Sequence, residues 1–297
     1  MGELSFDHGM GHIIDPPKIE DYTVDTPAVA QLLRETRAGR RAATSSKPKA
    51  GELPPTVDLR RWFPAVEFQG ALGSCSAHAV IGLLEYFEKR ASGNHVDASR
   101  LFLYKTSRNL MGWTGDRGMF LRKAMQALVM FGAPPEQFWP YDGAAAASNT
   151  HYDQEPTAFC YALARNYAAL KYFRLDTGSN FGPRLLEQIK TFAAAGMPCA
   201  FGFPVYREYE QPLPKGLIAY PGVGTYYRGA HANVVAGYDD TLQIGADKGA
   251  LLVRNSWGWG WGDLGYGWLS YKYVTNGLVT DCWSMVTASW IDAGMFE

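Results

Sequence analysis

The sequence is poor in everything that would tie it to a metal, a membrane or a nucleic acid. Its 297 residues hold four cysteines, Cys75, Cys160, Cys199 and Cys282, with no CxxC pair among them. That excludes a zinc ribbon and a dense disulfide scaffold, and nothing else in the chain asks for a metal or other cofactor. No run approaches the roughly 18 apolar residues of a membrane span. The opening MGELSFDHGMGHIIDPPK lacks the basic start and apolar core of a secretory signal, so the chain is expected to be soluble, cytoplasmic or exported by a non-classical route. Charge of neither sign dominates: 28 basic and 29 acidic residues leave a net charge of −1, which offers no footing for a phosphate backbone. What is plentiful is apolar material, 47% of the residues against 19% charged, enough for one large domain or two packed lobes.

Residues 1–52 form an arm rich in Pro, Gly and charge, with one short helix expected in TPAVAQLLRETRAG and a basic linker, RAGRRAATSSKPK, behind it. A compact domain over 53–297 starts near LPPTVDLR. Behind Ser74, the apolar positions Ala77, Val80, Ile81, Leu84 and Phe87 recur at helical spacing until Gly93. Helices are predicted in SRLFLYKTSRNLM, MFLRKAMQALVMFGAPPE and GPRLLEQIKTFAAAGMP, and strands in CAFGFPVY, AHANVVAGYDD, ALLVRNSWG and GYGWLSYKYV. Helices first and mostly strands afterwards define an α+β chain with two lobes.

QGALGSCSAHA (residues 69–79) places Cys75 at the mouth of the first long helix. There, the helix dipole and unpaired backbone N–H groups favour a thiolate, and the Cys75 N–H can face an oxyanion. Taken alone, a cysteine in such a place is more often a small buried hydrophobe. A thiolate needs a base, and His231 in RGAHANVVAGYDD is the only one of six histidines in a strand-like run flanked by small residues. His78 is three residues beyond Cys75 on the same helix, which leaves no gap for a substrate between them. Asn255, in VRNSWGWGWGDLGYGW, supplies a side-chain amide that can orient an imidazole.

These blocks resemble the papain-like cysteine peptidases, in a form common among bacterial members. QGALGSCSAHA is similar to the family's glutamine-to-cysteine block, GAHANVVAGYDD to its histidine strand and NSWGWGWGDLGYGWL to its asparagine block. LPPTVDLR is similar to the start of its mature domain, and GDRGMFLRKAMQALVMFGAPPEQFWPYD to its groove loop and following helix. The resemblance implies a two-lobed fold, a helical lobe against a β-barrel-like lobe with the site between them. It implies Cys75 as nucleophile, His231 as its base, Asn255 as orienter and Gln69 as oxyanion donor. Gly118 is implied as the glycine that pairs with extended substrate, Met119 and Ala232 as walls of the main specificity pocket, and Trp257 as cover for the His–Asn pair. The implied activity is endopeptidase cleavage of a peptide or protein by a monomer, with an apolar residue preferred two positions before the scissile bond.

Three departures from the family pattern stand out. Ser76 replaces an aromatic, Leu72 a disulfide cysteine, and Arg117 a second glycine. The other three cysteines leave room for at most one bridge. The arm, HIIDPPKIEDYTV above all, is expected to cross the cleft and inhibit. Two rivals to the peptidase reading are a non-catalytic peptide binder and a Cys-His-Asn acyltransferase or deamidase.

Overall fold

The computed structural model describes residues 8–35, 53–141 and 151–287, apart from the side chain of Leu170. The basic stretch at the end of the arm and the alanine-rich stretch at 143–148 lie outside the described residues.

The helical lobe is organised by α2 (Cys75–Ser92), whose residues Cys75 to Phe87 are buried without interruption. A helix enclosed on all sides has no polar face to show, and the one acidic residue before Tyr86, Glu85, is buried against Arg100. It ends at Gly93, in the left-handed region with φ 81° and its N–H on the Lys89 carbonyl. Against it lie α3 (Arg100–Asn109), started by Ser99 whose side chain accepts from the Phe102 N–H, and α4 (Leu121–Phe131). Arg100 ties their ends together through Glu85, Asp97 and Glu136. All four cysteines are free thiols.

The second lobe is one eight-stranded sheet. Its strands are β1 (Thr56–Asp58), β2 (Ala169–Arg174), β3 (Ala200–Tyr206), β4 (Leu217–Ile218), β5 (Tyr227–Ile244), β6 (Asp247–Arg254), β7 (Tyr266–Ser270) and β8 (Thr280–Thr287). The path runs β2-β8-β3-β5-β6-β7-β4 with β1 added to β5. The expected α+β class is what forms, but the sheet is open rather than closed into a barrel: β2 and the two-residue β4 end the path unpaired with each other.

The four expected strand segments are all in this sheet, although GYGWLSYKYV turns helical at Lys272–Thr275. Four further strands complete the sheet, and the two longer ones, β8 and β2, carried no period-two signal. β8 reads TDCWSMVT and is buried over seven of its eight residues, so it has no solvent face to impose alternation. β2 carries the charged Lys171 and Arg174, and Arg174 is buried against Asp176 in a bidentate pair at 3.0 and 2.9 Å.

The arm is a built part of the fold. Its helix α1 (Pro27–Glu35) buries Val29 and Leu33 completely. Asp15 and Asp21 meet Arg122, each at 3.0 Å.

Candidate active site

The long strand β5 brings the second lobe to the cysteine. It pairs with β3, Phe203 opposite His231 and Gly202 opposite Ala232, and with β6, which ends at Arg254 just before Asn255. Adjacent strands therefore carry the imidazole and the amide, and His231 Nε2 lies 2.8 Å from Asn255 Oδ1. That contact makes Nε2 the protonated nitrogen and frees Nδ1, which is buried without a hydrogen-bond partner. Trp257 covers the pair, its ring 4.8 Å from that of His231.

Cys75 opens α2, and Ser74 caps that helix without a side-chain bond. The Ser74 hydroxyl is turned to Tyr141 at 2.6 Å instead. The preceding turn is held by Asp116, which accepts from the Gly73 N–H at 3.0 Å and from the Tyr104 hydroxyl. Gln69 is locked from two sides: its N–H donates to the Ser256 carbonyl at 2.9 Å, and its Oε1 accepts from the Ser256 hydroxyl. Its side-chain amide is thus aimed by Ser256, Asn255's neighbour. The sequence reading missed both supports, Asp116 and Ser256. Each stands beside a residue it did single out, but neither has a pattern that marks it.

His78 bonds its own helix start, Nδ1 to the Ser74 carbonyl at 3.1 Å. Ser76 is buried, with its hydroxyl 3.4 Å from the Met119 carbonyl. Arg117 is exposed beside Gly118.

The cleft is occupied by the chain itself. The Gly9 carbonyl accepts from Gln69 Nε2 at 2.9 Å, and the Gly9 N–H donates to the Gly70 carbonyl at 3.0 Å. Two residues on, the Gly11 carbonyl accepts from the Met119 N–H at 2.8 Å, and the Ile13 N–H donates to the Met119 carbonyl. The ring of His8 stacks on Trp257 with centroids 4.4 Å apart. The stretch in contact is thus HGMGHI, earlier in the arm than most of the proline-containing segment expected there. Space explains it: a Cβ on Gly9 would sit 2.2 Å from the Leu72 carbonyl oxygen, one on Gly11 1.8 Å from that of Gly73, and one on Gly118 2.0 Å from that of Gly11. Only glycines let these backbones approach so closely.

With the arm in place Cys75 and His231 are both fully buried, and burial works against charge on either. It pushes the Cys75 thiol up, opposed by backbone hydrogen bonds from Gly11 and Ala232. It pulls His231 down to about 4, opposed by Asn255 and helped by the neighbouring His8. The covered pair is therefore neutral.

Residues 53–288 match the family described as papain family cysteine protease, and the chain belongs to that family. It is a cysteine protease, a peptide hydrolase. It is similar to an uncharacterized peptidase C1-like protein of Acanthamoeba polyphaga mimivirus, 31% identical over 72% of this chain and 67% of that one. Cathepsin S of Bos taurus is 28% identical over 90% of this chain and 73% of its own. Among solved structures, xylellain, a cysteine protease from Xylella fastidiosa, superposes with a TM-score of 0.74 at 28% identity, over 95% of this chain and 97% of xylellain. Procathepsin L 3 of Tenebrio molitor shares the fold at 19% identity and a TM-score of 0.60, over 82% and 71% of the two chains.

Proposed function

We propose that the chain is an endopeptidase made as a self-covered zymogen, with Cys75 as nucleophile, His231 as base, Asn255 as orienter and Gln69 as oxyanion donor. One observation carries this reading: a peptide carbonyl, that of Gly9, already rests on Gln69 Nε2 beside Cys75. In the open enzyme Cys75 Sγ attacks the scissile carbonyl carbon, and the oxyanion takes the place of the Gly9 oxygen on Gln69 Nε2 and the Cys75 N–H. The imidazolium gives its Nδ1 proton to the departing amine nitrogen as the C–N bond breaks, leaving a thioester. Water, deprotonated by Nδ1, attacks that carbon, and the thiolate leaves with a free carboxylate released. Exposure of the cleft removes the desolvation that keeps the pair neutral.

The arm is inhibitory rather than a substrate because of its direction. An extended substrate would run from Gly118, beside the residue two before the scissile bond, toward Trp257. The arm runs the other way, from His8 on Trp257 to Ile13 on Met119, with a parallel bridge between His12 and Met119. Its carbonyl meets Gln69 with the residues that follow and precede it exchanged, so its leaving nitrogen points away from the base.

Met119 and Ala232, both buried, give the main pocket apolar walls. A fluorogenic peptide library is expected to show cleavage with Leu, Val or Phe two residues before the scissile bond, and an exclusive preference for acidic residues there would contradict it.

The covered state is also expected to weaken in acid. A histidine held neutral, with its pKa depressed to about 4, favours the closed state fully above the ordinary value of about 6.5. That advantage is lost as pH falls from about 6.5 toward 4, because the open state binds the extra proton. Alkylation of Cys75 in the full chain, corrected for reagent reactivity by a free thiol, should therefore report a larger open fraction at pH 5 than at pH 7.5. An open fraction that does not rise in acid would remove His231 from the control of closure.

A further inference from the structure

A small cavity lies between the lobes, lined by His78 and Gly82 of α2, by Arg100 of α3, and by Arg254 and Asn255 where β6 ends. Its volume of about 10 Å³ is room for one water molecule. Two of these residues, one from each lobe, carry a buried polar atom with no hydrogen-bond partner among the described residues: His78 Nε2 and Asn255 Nδ2.

The rest of each side chain decides which of the two donates. His78 Nδ1 meets the Ser74 carbonyl at 3.1 Å. A carbonyl only accepts, so Nδ1 carries the proton and Nε2 keeps its lone pair. Burial, the largest cause, and the charge of Arg100 pull His78 down to about 3, which leaves that nitrogen an acceptor. Asn255 Oδ1 accepts from His231 Nε2 and from the Ser256 N–H, each at 2.8 Å, so Nδ2 is a donor turned the other way. The His78 ring is also fixed in place. It meets the ring of Tyr141 edge to face with centroids 4.8 Å apart, and the Tyr141 hydroxyl donates to the Gln69 carbonyl at 2.8 Å. A buried donor and a buried acceptor beside one water-sized cavity make a bridging site: a water there accepts from Asn255 Nδ2 and donates to His78 Nε2.

We propose that His78 is a positioning residue for the reaction, holding the Asn255 amide, and through it His231, by way of one water in this cavity. The role rests on the peptidase reading above. His78 touches neither substrate nor reacting atoms. A water that accepts from Nδ2 polarises the amide and adds negative charge to Oδ1, where the Nε2–H of the imidazolium is bound. The gain is therefore largest when His231 is charged, and it belongs to the chemical step rather than to substrate binding.

Two measurements on the full chain test this. The first uses variants that separate the two ring nitrogens. His78→Gln keeps an acceptor near the place of Nε2 and gives up the bond to Ser74, whereas His78→Asn keeps a donor near the place of Nδ1 and gives up the acceptor. With a fluorogenic peptide, kcat should fall about fivefold in His78→Asn with KM unchanged, and His78→Gln should restore most of it. In an Asn255→Ala background, which has no Nδ2, the two variants should be equal. Alkylation of Cys75 by chloroacetamide, which reads the thiolate without any peptide, should follow the same order. Equal rates in the two variants, the reverse order, or a difference that survives Asn255→Ala would overturn the proposal. The second measurement needs no variant: a high-resolution crystal structure should place a water within hydrogen-bond reach of both His78 Nε2 and Asn255 Nδ2, and a dry cavity there would sink the bridge. If no chain cleaves peptide while alkylation keeps its order, the peptidase reading falls and the positioning of His231 by His78 stands.

Discussion

Replacing either Cys75 or His231 with alanine is expected to abolish peptide cleavage to within a few orders of magnitude of the uncatalysed rate, and replacing both should do little further harm. The two act as one unit: without the imidazole the thiol is not activated, and without the sulfur there is nothing to activate, so their losses do not add. The fold should survive. Cys75 and His231 are buried but neutral, and alanine removes no charge on which the packing depends. Asn255→Ala should be milder, since Trp257 still walls the ring of His231 at 4.8 Å and only the bond to Nε2 is lost. Single-turnover and steady-state cleavage of a fluorogenic peptide, with circular dichroism on each variant, measures all three. Near-normal activity in His231→Ala combined with loss in His78→Ala would move the base to His78.

Gly11→Val is expected to do the opposite and raise the activity of the full chain. A Cβ at Gly11 meets the Gly73 carbonyl oxygen at 1.8 Å and its carbon at 2.3 Å. These are backbone atoms in the turn that Asp116 pins, so neither side can yield cheaply. The arm must lift from the groove between His8 and Ile13, while α1, with Val29 and Leu33 buried, stays docked and keeps the core covered. Peptide cleavage and alkylation of Cys75 should both rise by about an order of magnitude or more, since a clash of this size exceeds the few kcal/mol that hold such a segment closed. A chain beginning near Gly51 should behave alike in activity but lose stability with the two buried side chains of α1. Unchanged rates in both, at equal active-site concentration, would reduce the arm to a tether.

The residues proposed for catalysis were legible in the sequence because the proposed chemistry forces them into short, ordered blocks. A thiol at a helix mouth needs Gly and Ser before it and helical spacing behind it. A histidine on a strand among small residues and an asparagine in a Gly–Trp run are equally local. Cys75, His231 and Asn255 could therefore be proposed together, whereas Gln69, Gly118, Met119, Ala232 and Trp257 came only from the resemblance to the papain-like peptidases. The helices around the cysteine were visible for the same reason, each having its own periodicity and its own glycine or serine at an end.

What only the tertiary structure decided is everything that depends on meeting at a distance. Ser256 aims Gln69 across 187 residues, and Asp116 pins Gly73 across 43. Neither partner carries a pattern, because a hydrogen bond formed by folding leaves no period in the chain. β8 hid because burial on both faces erases alternation. The arm was read as a groove occupant, but its extended proline segment was given the place that HGMGHI takes. Sequence alone reports which backbones prefer to be extended. Which stretch fits depends on how near two main chains can come, and at Gly9, Gly11, Gly73 and Gly118 that is set by the absence of four side chains in a space no local pattern describes.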